Sequence, residues 1–104
     1  MIQGVGKDEP IVTNENGGMQ SKVPYGFHLC DPKALLKLAE VMQFGATKYK
    51  RDNWKNIPAD EHYNHLMMHI TAWYAGDKQD DHLGHGLARM MMLWVMAQEE
   101  QCDR

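Results

Sequence analysis

The chain has 104 residues, of which 43% are hydrophobic and 24% charged, and its formal net charge is −3. This composition indicates one globular domain, excludes a disordered or collagen-like chain, and argues against binding duplex nucleic acid over a whole surface. Two scattered cysteines, Cys30 and Cys102, exclude a disulfide framework. Since neither a signal peptide nor an apolar run of membrane-spanning length is present, we expect a soluble, cytoplasmic protein without a membrane partner.

The first thirty residues are rich in glycine and proline and show no sustained hydrophobic period. They predict an irregular N-terminal arm over residues 1–30. Within it, Ile11-Val12-Thr13 is expected as a short strand and Asn16-Gly17-Gly18 as a turn, although an isolated hairpin of this size is marginal alone. The remainder, residues 31–104, is expected to form one helical domain.

The first helix is predicted to begin at Asp31-Pro32, because aspartate can cap a free amide and proline suits the first helical position. Apolar residues then recur at helical spacing, which predicts a helix to about Phe44, with continuation past Gly45 as an alternative. These residues are Leu35, Leu38, Ala39 and Met42. The segment 48–57 has no period and contains lysines, an arginine and two aromatic residues, so it predicts a basic, aromatic connector.

Two further helices are predicted, the second from about Ala59 to a C-terminal cap at Gly76 and the third from the acidic link 77–80 to about Gln98. Each has an apolar stripe: Tyr63, Leu66, Met67, Ile70 and Tyr74 on the second, and Leu83, Leu87, Met90, Met91 and Trp94 on the third. A link this short makes the two helices an antiparallel hairpin. The predicted fold class is therefore all-α, with a helical hairpin and one packing helix.

The third helix is apolar around more of its circumference than one neighbour can cover, since Met92, Leu93 and Val95 lie off the main stripe. A chain this small buries a limited fraction of its surface alone. We therefore expect a homo-oligomer in which pairing of hairpins completes a helical bundle. Most of the nine methionines are interpreted as packing residues of that bundle.

Histidine and aspartate recur at one-turn spacing on the second and third helices. His65 and His69 are four residues apart, as are Asp81 and His85, and Arg89 extends the second line. The two polar lines could face each other across the hairpin. A zinc protease is excluded because Leu66 stands where a glutamate would follow the first histidine.

A divalent ion held by histidine and aspartate is one interpretation of these lines. A hard cation such as magnesium prefers oxygen ligands, which are offered by Glu40, Asp77, Asp80 and Asp81. Alternatively, the histidines only hydrogen-bond the helices together and Asp81 is an anion at a helix N-terminus, with Asp80 expected as the N-cap.

The connector combines cations with flat rings. Lys48, Lys50, Arg51 and Lys55 surround Tyr49, Asn53 and Trp54. Cations bind phosphate and aromatic rings stack on bases, so this combination suits a nucleotide or a single strand. The alternative is a solvated basic loop in which Trp54 only anchors the core.

These motifs, taken as an ordered set over residues 31–97, resemble the phage and bacterial dATP/dGTP diphosphohydrolase N-terminal domain family, a MazG-like group. The motifs that carry the resemblance are Gly45-Ala46-Thr47-Lys48-Tyr49, Asn53-Trp54, His69 with Trp73, Gly76-Asp77, Asp80, and His82-Leu83-Gly84-His85. The resemblance implies an all-α fold built from the hairpins of two or more subunits. It also implies magnesium held by acidic side chains and cleavage of a purine deoxynucleoside triphosphate to the monophosphate and pyrophosphate.

The sequence departs from the family pattern at its acidic positions. Asp77 stands where the family usually has glutamate, and the segment before His82 is shortened to Asp80-Asp81. The first helix lacks the Glu-x-x-Glu pair of typical MazG enzymes, since Gln43 stands three residues after Glu40. Nucleotide binding is therefore better supported by the resemblance than hydrolysis is.

Residue type, spacing and resemblance together predict the site. The predicted catalytic residues are His69, His85 and Asp81; the substrate-binding residues are Lys48, Tyr49, Arg51, Asn53, Trp54 and Arg89; and the magnesium ligands are Glu40, Asp77, Asp80 and Asp81. The expected ligand is a purine deoxynucleotide or a nucleotide-derived small molecule. Two alternatives remain: a protein that sequesters a nucleotide or nucleotide signal without hydrolysing it, and a purely structural helical oligomer.

Overall fold

The computed structural model describes residues 2–100 and divides the chain into two units, Met1–Asp31 and Pro32–Arg104. Residues 101–104 of the predicted helical domain, and Cys102 with them, lie outside the described residues. No helix within residues 2–100 is long and apolar enough to cross a membrane.

The first unit contains a small antiparallel hairpin. Strand β1 (Ile11–Thr13) pairs with β2 (Met19–Ser21) so that Val12 lies opposite Gln20. The turn between them is held by the Asn14 side chain, whose Oδ1 accepts hydrogen bonds from the backbone amides of Asn16 and Gly18, both at 2.9 Å. Gly17 has a φ of 84°, which glycine adopts without strain. The predicted strand and turn are present.

The second unit is built from three helices, α1 (Pro32–Lys48), α2 (Ala59–Tyr74) and α3 (His82–Glu99). A short 3-10 turn, Asn53–Asn56, lies in the connector between α1 and α2. The all-α prediction is confirmed. Helix α1 continues past Gly45 to Lys48, one turn beyond Phe44, and in this last turn the Thr47 hydroxyl donates to the Gln43 carbonyl at 3.1 Å.

The loop between α2 and α3 is closed by backbone and side-chain caps. Gly76 has a φ of 92°; its amide donates to the Trp73 carbonyl, and the amide of Asp77 donates to the Ala72 carbonyl, both at 3.0 Å. This pattern is a Schellman motif, and it confirms the predicted cap at Gly76. The predicted N-cap of α3 is wrong by one residue. Asp81 holds that position because its Oδ1 accepts from the Gly84 amide at 3.1 Å.

Helices α2 and α3 make the main contact of this unit, but not through their most apolar faces. The buried residues of α2 are Ala59, His62, Leu66 and His69, and those of α3 are His82, Gly84, Gly86 and Ala88. Small residues of α3 lie against α2; a Cβ added to Gly86 would be in ordinary van der Waals contact with Leu66 Cδ1, at 3.6 Å. Histidines therefore form much of the buried face of α2.

Most of the predicted apolar stripes are left exposed. Of the five residues on α2, Leu66 alone is buried, and on α3 Met91 is half-buried while Leu83, Leu87, Met90 and Trp94 are exposed. Within residues 2–100 the buried hydrophobic residues are Ala59, Leu66 and Ala88. The core of one chain is thus small, and the expected oligomer stays a prediction.

Candidate active site

A cleft of about 700 Å³ lies in the helical unit, between the end of α1, the connector and the facing helices α2 and α3. Apolar side chains such as Val41, Met42 and Met92 form part of its wall. The structure brings all six predicted substrate-binding residues to this cleft: Lys48, Tyr49, Arg51, Asn53, Trp54 and Arg89. His69, His85 and Asp80 line it as well. A concave, partly apolar site with a few convergent polar groups is the usual form of a small-molecule site.

The connector presents its cations beside its aromatic rings. Lys48 Nζ lies 5.0 Å from the centre of the Tyr49 ring, and Lys55 Nζ lies 5.5 Å from the Trp54 ring. Two residues in the left-handed region, Lys50 with a φ of 130° and Asp52 with a φ of 63°, turn the chain sharply between these rings. The turn places Tyr49 and Trp54 on the same cleft.

A buried histidine connects the connector to both helices of the hairpin. The His62 side chain has no exposed surface; its Nε2 donates to the Trp54 carbonyl at 3.0 Å, and its Nδ1 accepts from Arg89 Nη1 at 2.9 Å. Burial lowers the pKa of His62, and the positive charges of Arg89 and His65 lower it further. The ring is therefore neutral at pH 7, and it holds Arg89 and the connector in place.

A second hydrogen-bonded chain runs from the α2–α3 loop into the cleft. Asp77 Oδ2 accepts from His82 Nε2 at 2.6 Å, and His82 Nδ1 lies 3.0 Å from His69 Nδ1. The hydrogen bond from His82 lowers the pKa of Asp77, so this group is a carboxylate. Burial lowers the pKa of His69, with smaller contributions from His85 and His82, so the His69 ring is neutral at pH 7.

His69, Asp80 and His85 form a cluster at the cleft. One ligand atom from each lies within 4.8 Å of those of the other two, and within residues 2–100 no other group of three histidine, cysteine or carboxylate side chains meets this criterion. His85 Nδ1 lies 3.4 Å from Asp80 Oδ2. Such a group can take up a proton or bind a cation.

The family of this chain is shown by comparison with known proteins. The model of the family described as dATP/dGTP diphosphohydrolase, N-terminal, matches residues 14–104. The chain belongs to this family. No curated protein and no solved structure matches it. The matched span of this dATP/dGTP diphosphohydrolase N-terminal domain includes every residue of the cleft, and the family name describes a hydrolase that acts on nucleotides.

The four carboxylates predicted as magnesium ligands are not gathered in this family member. Asp81 caps α3, and its Oδ2 lies 3.1 Å from Lys37 Nζ. The same ammonium group lies 2.9 Å from Glu40. Asp77 is hydrogen-bonded to His82. Of the four predicted ligands, Asp80 lines the cleft. Asp81 is also one of the predicted catalytic residues, but its side chain caps the N-terminus of α3. There the hydrogen bonds from the Gly84 amide and Lys37 lower the pKa of Asp81.

Sequence reasoning missed His62 and His82 as site residues. A signal for His62 was present, since residues 62, 66 and 69 recur at helical spacing and lie on one face of α2. His82 lies in the His-Leu-Gly-His motif, but its partner Asp77 is five residues away across the loop, a spacing that no helical rule connects.

Proposed function

We propose that this chain hydrolyses dATP or dGTP to the deoxynucleoside monophosphate and pyrophosphate. The observation that carries the proposal is that one cleft gathers cationic side chains, aromatic rings and the neutral imidazole of His69. The family match supports the same reaction class. The cleft volume of about 700 Å³ lies in the range usual for sites that bind small molecules.

Lys48, Arg51 and Arg89 bind the phosphates in this proposal. A triphosphate carries several negative charges, and charge-assisted hydrogen bonds from guanidinium and ammonium groups are the strong contacts available to it. Arg89 is half-buried and held by His62, so it is positioned before the nucleotide arrives. Tyr49 and Trp54 offer ring faces to the base, and Asn53 offers an amide to the base or sugar.

The cluster of His69, Asp80 and His85 lies beside the reacting phosphate in the proposed complex. Water attacks the α-phosphorus, the bond from that phosphorus to the bridging oxygen breaks, and pyrophosphate leaves. Removing a proton from water needs a base, and binding a cation beside phosphate needs electron-pair donors; the imidazole nitrogens and carboxylate oxygens of this cluster are groups of both kinds. A divalent ion, when bound, would neutralise phosphate charge.

The proposed enzyme assembles as a homo-oligomer through the exposed stripes of α2 and α3. Within residues 2–100, three apolar residues are buried, and all three are small or medium-sized. They are a weak core for a domain of this size. Association of the stripes supplies the apolar burial that one chain lacks.

The test is hydrolysis of the four deoxynucleoside triphosphates in water enriched in ¹⁸O, with the products separated and weighed by mass spectrometry. We expect pyrophosphate and the monophosphate from dATP or dGTP, with ¹⁸O in the monophosphate because the α-phosphorus is attacked. Label in pyrophosphate would indicate attack at the β-phosphorus. Release of inorganic phosphate and a diphosphate, or no product, would contradict the proposal.

A matched pair of lysine variants tests the phosphate site. Lys48→Ala removes a cation that lines the cleft, and Lys78→Ala removes an exposed lysine that does not. Loss of one charge-assisted hydrogen bond is worth roughly 1.5–3 kcal/mol, so kcat/KM should fall about ten- to hundredfold in Lys48→Ala. Equal kcat/KM values for the two variants would remove Lys48 from the site.

A second candidate function is nucleotide binding without hydrolysis. It is favoured by the dispersal of the predicted magnesium ligands, since Glu40, Asp77 and Asp81 each have another partner. The same cleft would then hold and sequester a nucleotide. Nucleotide-dependent stabilisation against heat, with no product after hours of incubation, would decide for this function; no stabilisation at all would favour a structural oligomer.

A further inference from the structure

The cluster of His69, Asp80 and His85 differs from the magnesium site that the family resemblance implies. Its donors are two imidazole nitrogens and one carboxylate oxygen, whose ligand atoms lie within 4.8 Å of one another. Magnesium prefers oxygen ligands in near-ideal octahedral geometry and is seldom held by imidazole. The donor set therefore does not fit magnesium. It suits the borderline divalent ions of the first transition row, for which imidazole and carboxylate together are common ligands.

The hydrogen bonds around His69 leave one of its ring nitrogens available to an ion. Asp77 accepts from His82 Nε2 at 2.6 Å. On the other side of the same ring, His82 Nδ1 and His69 Nδ1 lie 3.0 Å apart and share a hydrogen bond. His69 Nε2 has no partner among the hydrogen bonds described for this ring.

The same contacts hold the His69 ring in a fixed orientation. His69 and His82 are both 8% exposed, so water has little access to their shared hydrogen bond. The second ring nitrogen of a ligating histidine is usually hydrogen-bonded to a fixed partner, which orients the ring. Here that partner is His82, which is itself hydrogen-bonded to Asp77. They are positioning residues for His69.

Asp80 is oriented by the backbone. Its Oδ1 accepts from the Asp81 amide at 2.9 Å, and its Oδ2 lies 3.4 Å from His85 Nδ1. A separation of this size is what two ligands of one metal ion show when each lies about 2.0–2.2 Å from the ion. Asp80 and His85 therefore already stand at the spacing that coordination requires.

We propose that His69, Asp80 and His85 bind one divalent transition-metal ion, such as Mn²⁺, Co²⁺ or Zn²⁺, in preference to magnesium. Three protein ligands leave coordination positions open for phosphate oxygens in the same cleft. The role of the ion in hydrolysis rests on the proposed function. Ion binding itself rests on the three side chains and can be measured without nucleotide.

The test is calorimetric titration of the metal-free full chain with Mn²⁺, Co²⁺, Zn²⁺ and Mg²⁺, with the visible absorption of bound Co²⁺ as an independent readout of nitrogen ligation. We expect one ion per chain, and Mg²⁺ affinity about a hundredfold or more below that of Zn²⁺. Equal affinities for Mg²⁺ and Mn²⁺, or a Co²⁺ spectrum identical to that of the hydrated ion, would overturn the proposal.

Three variants locate the ion. Asp80→Asn keeps the oxygen that accepts from the Asp81 amide and removes the charge, so it should fold normally and lose about tenfold or more in Zn²⁺ affinity. Asp77→Asn, which acts through His82, should lower the affinity by roughly ten- to hundredfold. His65→Ala is the control, because His65 lines the cleft one turn from His69 but is outside the cluster. Equal losses in His65→Ala and Asp80→Asn would overturn the assignment.

Failure of this inference can be told from failure of the proposed function. Tight ion binding without pyrophosphate release would contradict the function alone. Pyrophosphate release by a chain that binds none of Mn²⁺, Co²⁺ and Zn²⁺ in the titration would contradict the ion site alone.

Discussion

His62 is the residue on which the geometry of the cleft depends most. Its two ring nitrogens join the Trp54 carbonyl to the Arg89 guanidinium, and the ring is fully buried between them. Protonation of Nδ1 would remove the acceptor for Arg89 and place a second positive charge beside it. The site therefore needs a neutral His62. This requirement makes the stability of the fold depend on pH.

We expect acid to destabilise the fold through His62. Burial lowers its pKa in the folded chain by more than the hydrogen bond to the Trp54 carbonyl raises it; Arg89 and His65 lower the pKa further, and Glu100 has the smallest, raising effect. The unfolded chain takes up the proton below about pH 6.5 while the folded chain does not, so the free energy of unfolding falls as pH drops from 7.5 to 5.5. One proton can contribute a slope of at most about 1.4 kcal/mol per pH unit. Urea unfolding at a series of pH values measures it.

The control variant for this experiment is His62→Gln, whose amide can both donate and accept but does not titrate in this range. His69 also has a lowered pKa and contributes in the same pH range, but it does so in both chains; Asp77 and Asp81 lose their contribution at more acidic pH, near the usual range of aspartate. The difference between the original chain and His62→Gln thus isolates His62. Parallel pH profiles for the two chains would contradict the assignment.

At the level of elements, the start of α3 is set by Asp81. Its Oδ1 caps the Gly84 amide, and its Oδ2 pairs with Lys37 of α1. We expect Asp81→Ala to lower the free energy of unfolding by about 1 kcal/mol, because it removes an N-cap. Asp81→Asn should lose less, since asparagine is also a good N-cap and an exposed ion pair contributes little.

Asp80→Ala is the matched comparison, because Asp80 is the N-cap that the sequence predicted. If Asp81 is the cap, urea unfolding should show a smaller loss in Asp80→Ala than in Asp81→Ala. A reversed order would restore the original prediction for the start of α3 and would contradict the capping role of Asp81.

The elements themselves could be predicted from the sequence, but the faces that they bury could not. Proline at position 32, Gly76 and the apolar period located all three helices to within a few residues. Periodicity gives an apolar stripe without saying what covers it. On α2 the contact with α3 is made by His62, Leu66 and His69, because hydrogen bonds satisfy the two buried histidines.

The site could be predicted in part for a similar reason. The connector residues are close in sequence and reach the cleft together, so their composition was informative. The acidic residues are close in sequence too, but Asp77 and Asp81 each found a nearer partner in the folded chain. Such choices between neighbouring partners depend on loop geometry, which the sequence pattern does not contain.

For the whole molecule, the exposed stripes of α2 and α3 are the feature that most needs a partner. Tyr63, Met67, Ile70 and Tyr74 recur at helical spacing, as do Leu83, Leu87, Met90 and Trp94, and each is at least 38% exposed. A stable interface buries about 800 Å² on each partner. Eight large apolar side chains at regular spacing can supply that area, and a second copy of the chain offers the same surface.

We expect sedimentation equilibrium to show a homo-oligomer that Met90→Glu dissociates, because the new carboxylate would be buried at the interface without a partner. In one chain Met90 is 45% exposed, so the variant should keep its helical circular dichroism. Gln98→Glu is the control, since it adds the same charge to α3 at an exposed polar position. A monomeric original chain, or equal dissociation by both substitutions, would show that the stripes serve another purpose.

Because association adds apolar burial to a small core, thermal stability should also rise with protein concentration in the original chain and in Gln98→Glu, but not in Met90→Glu.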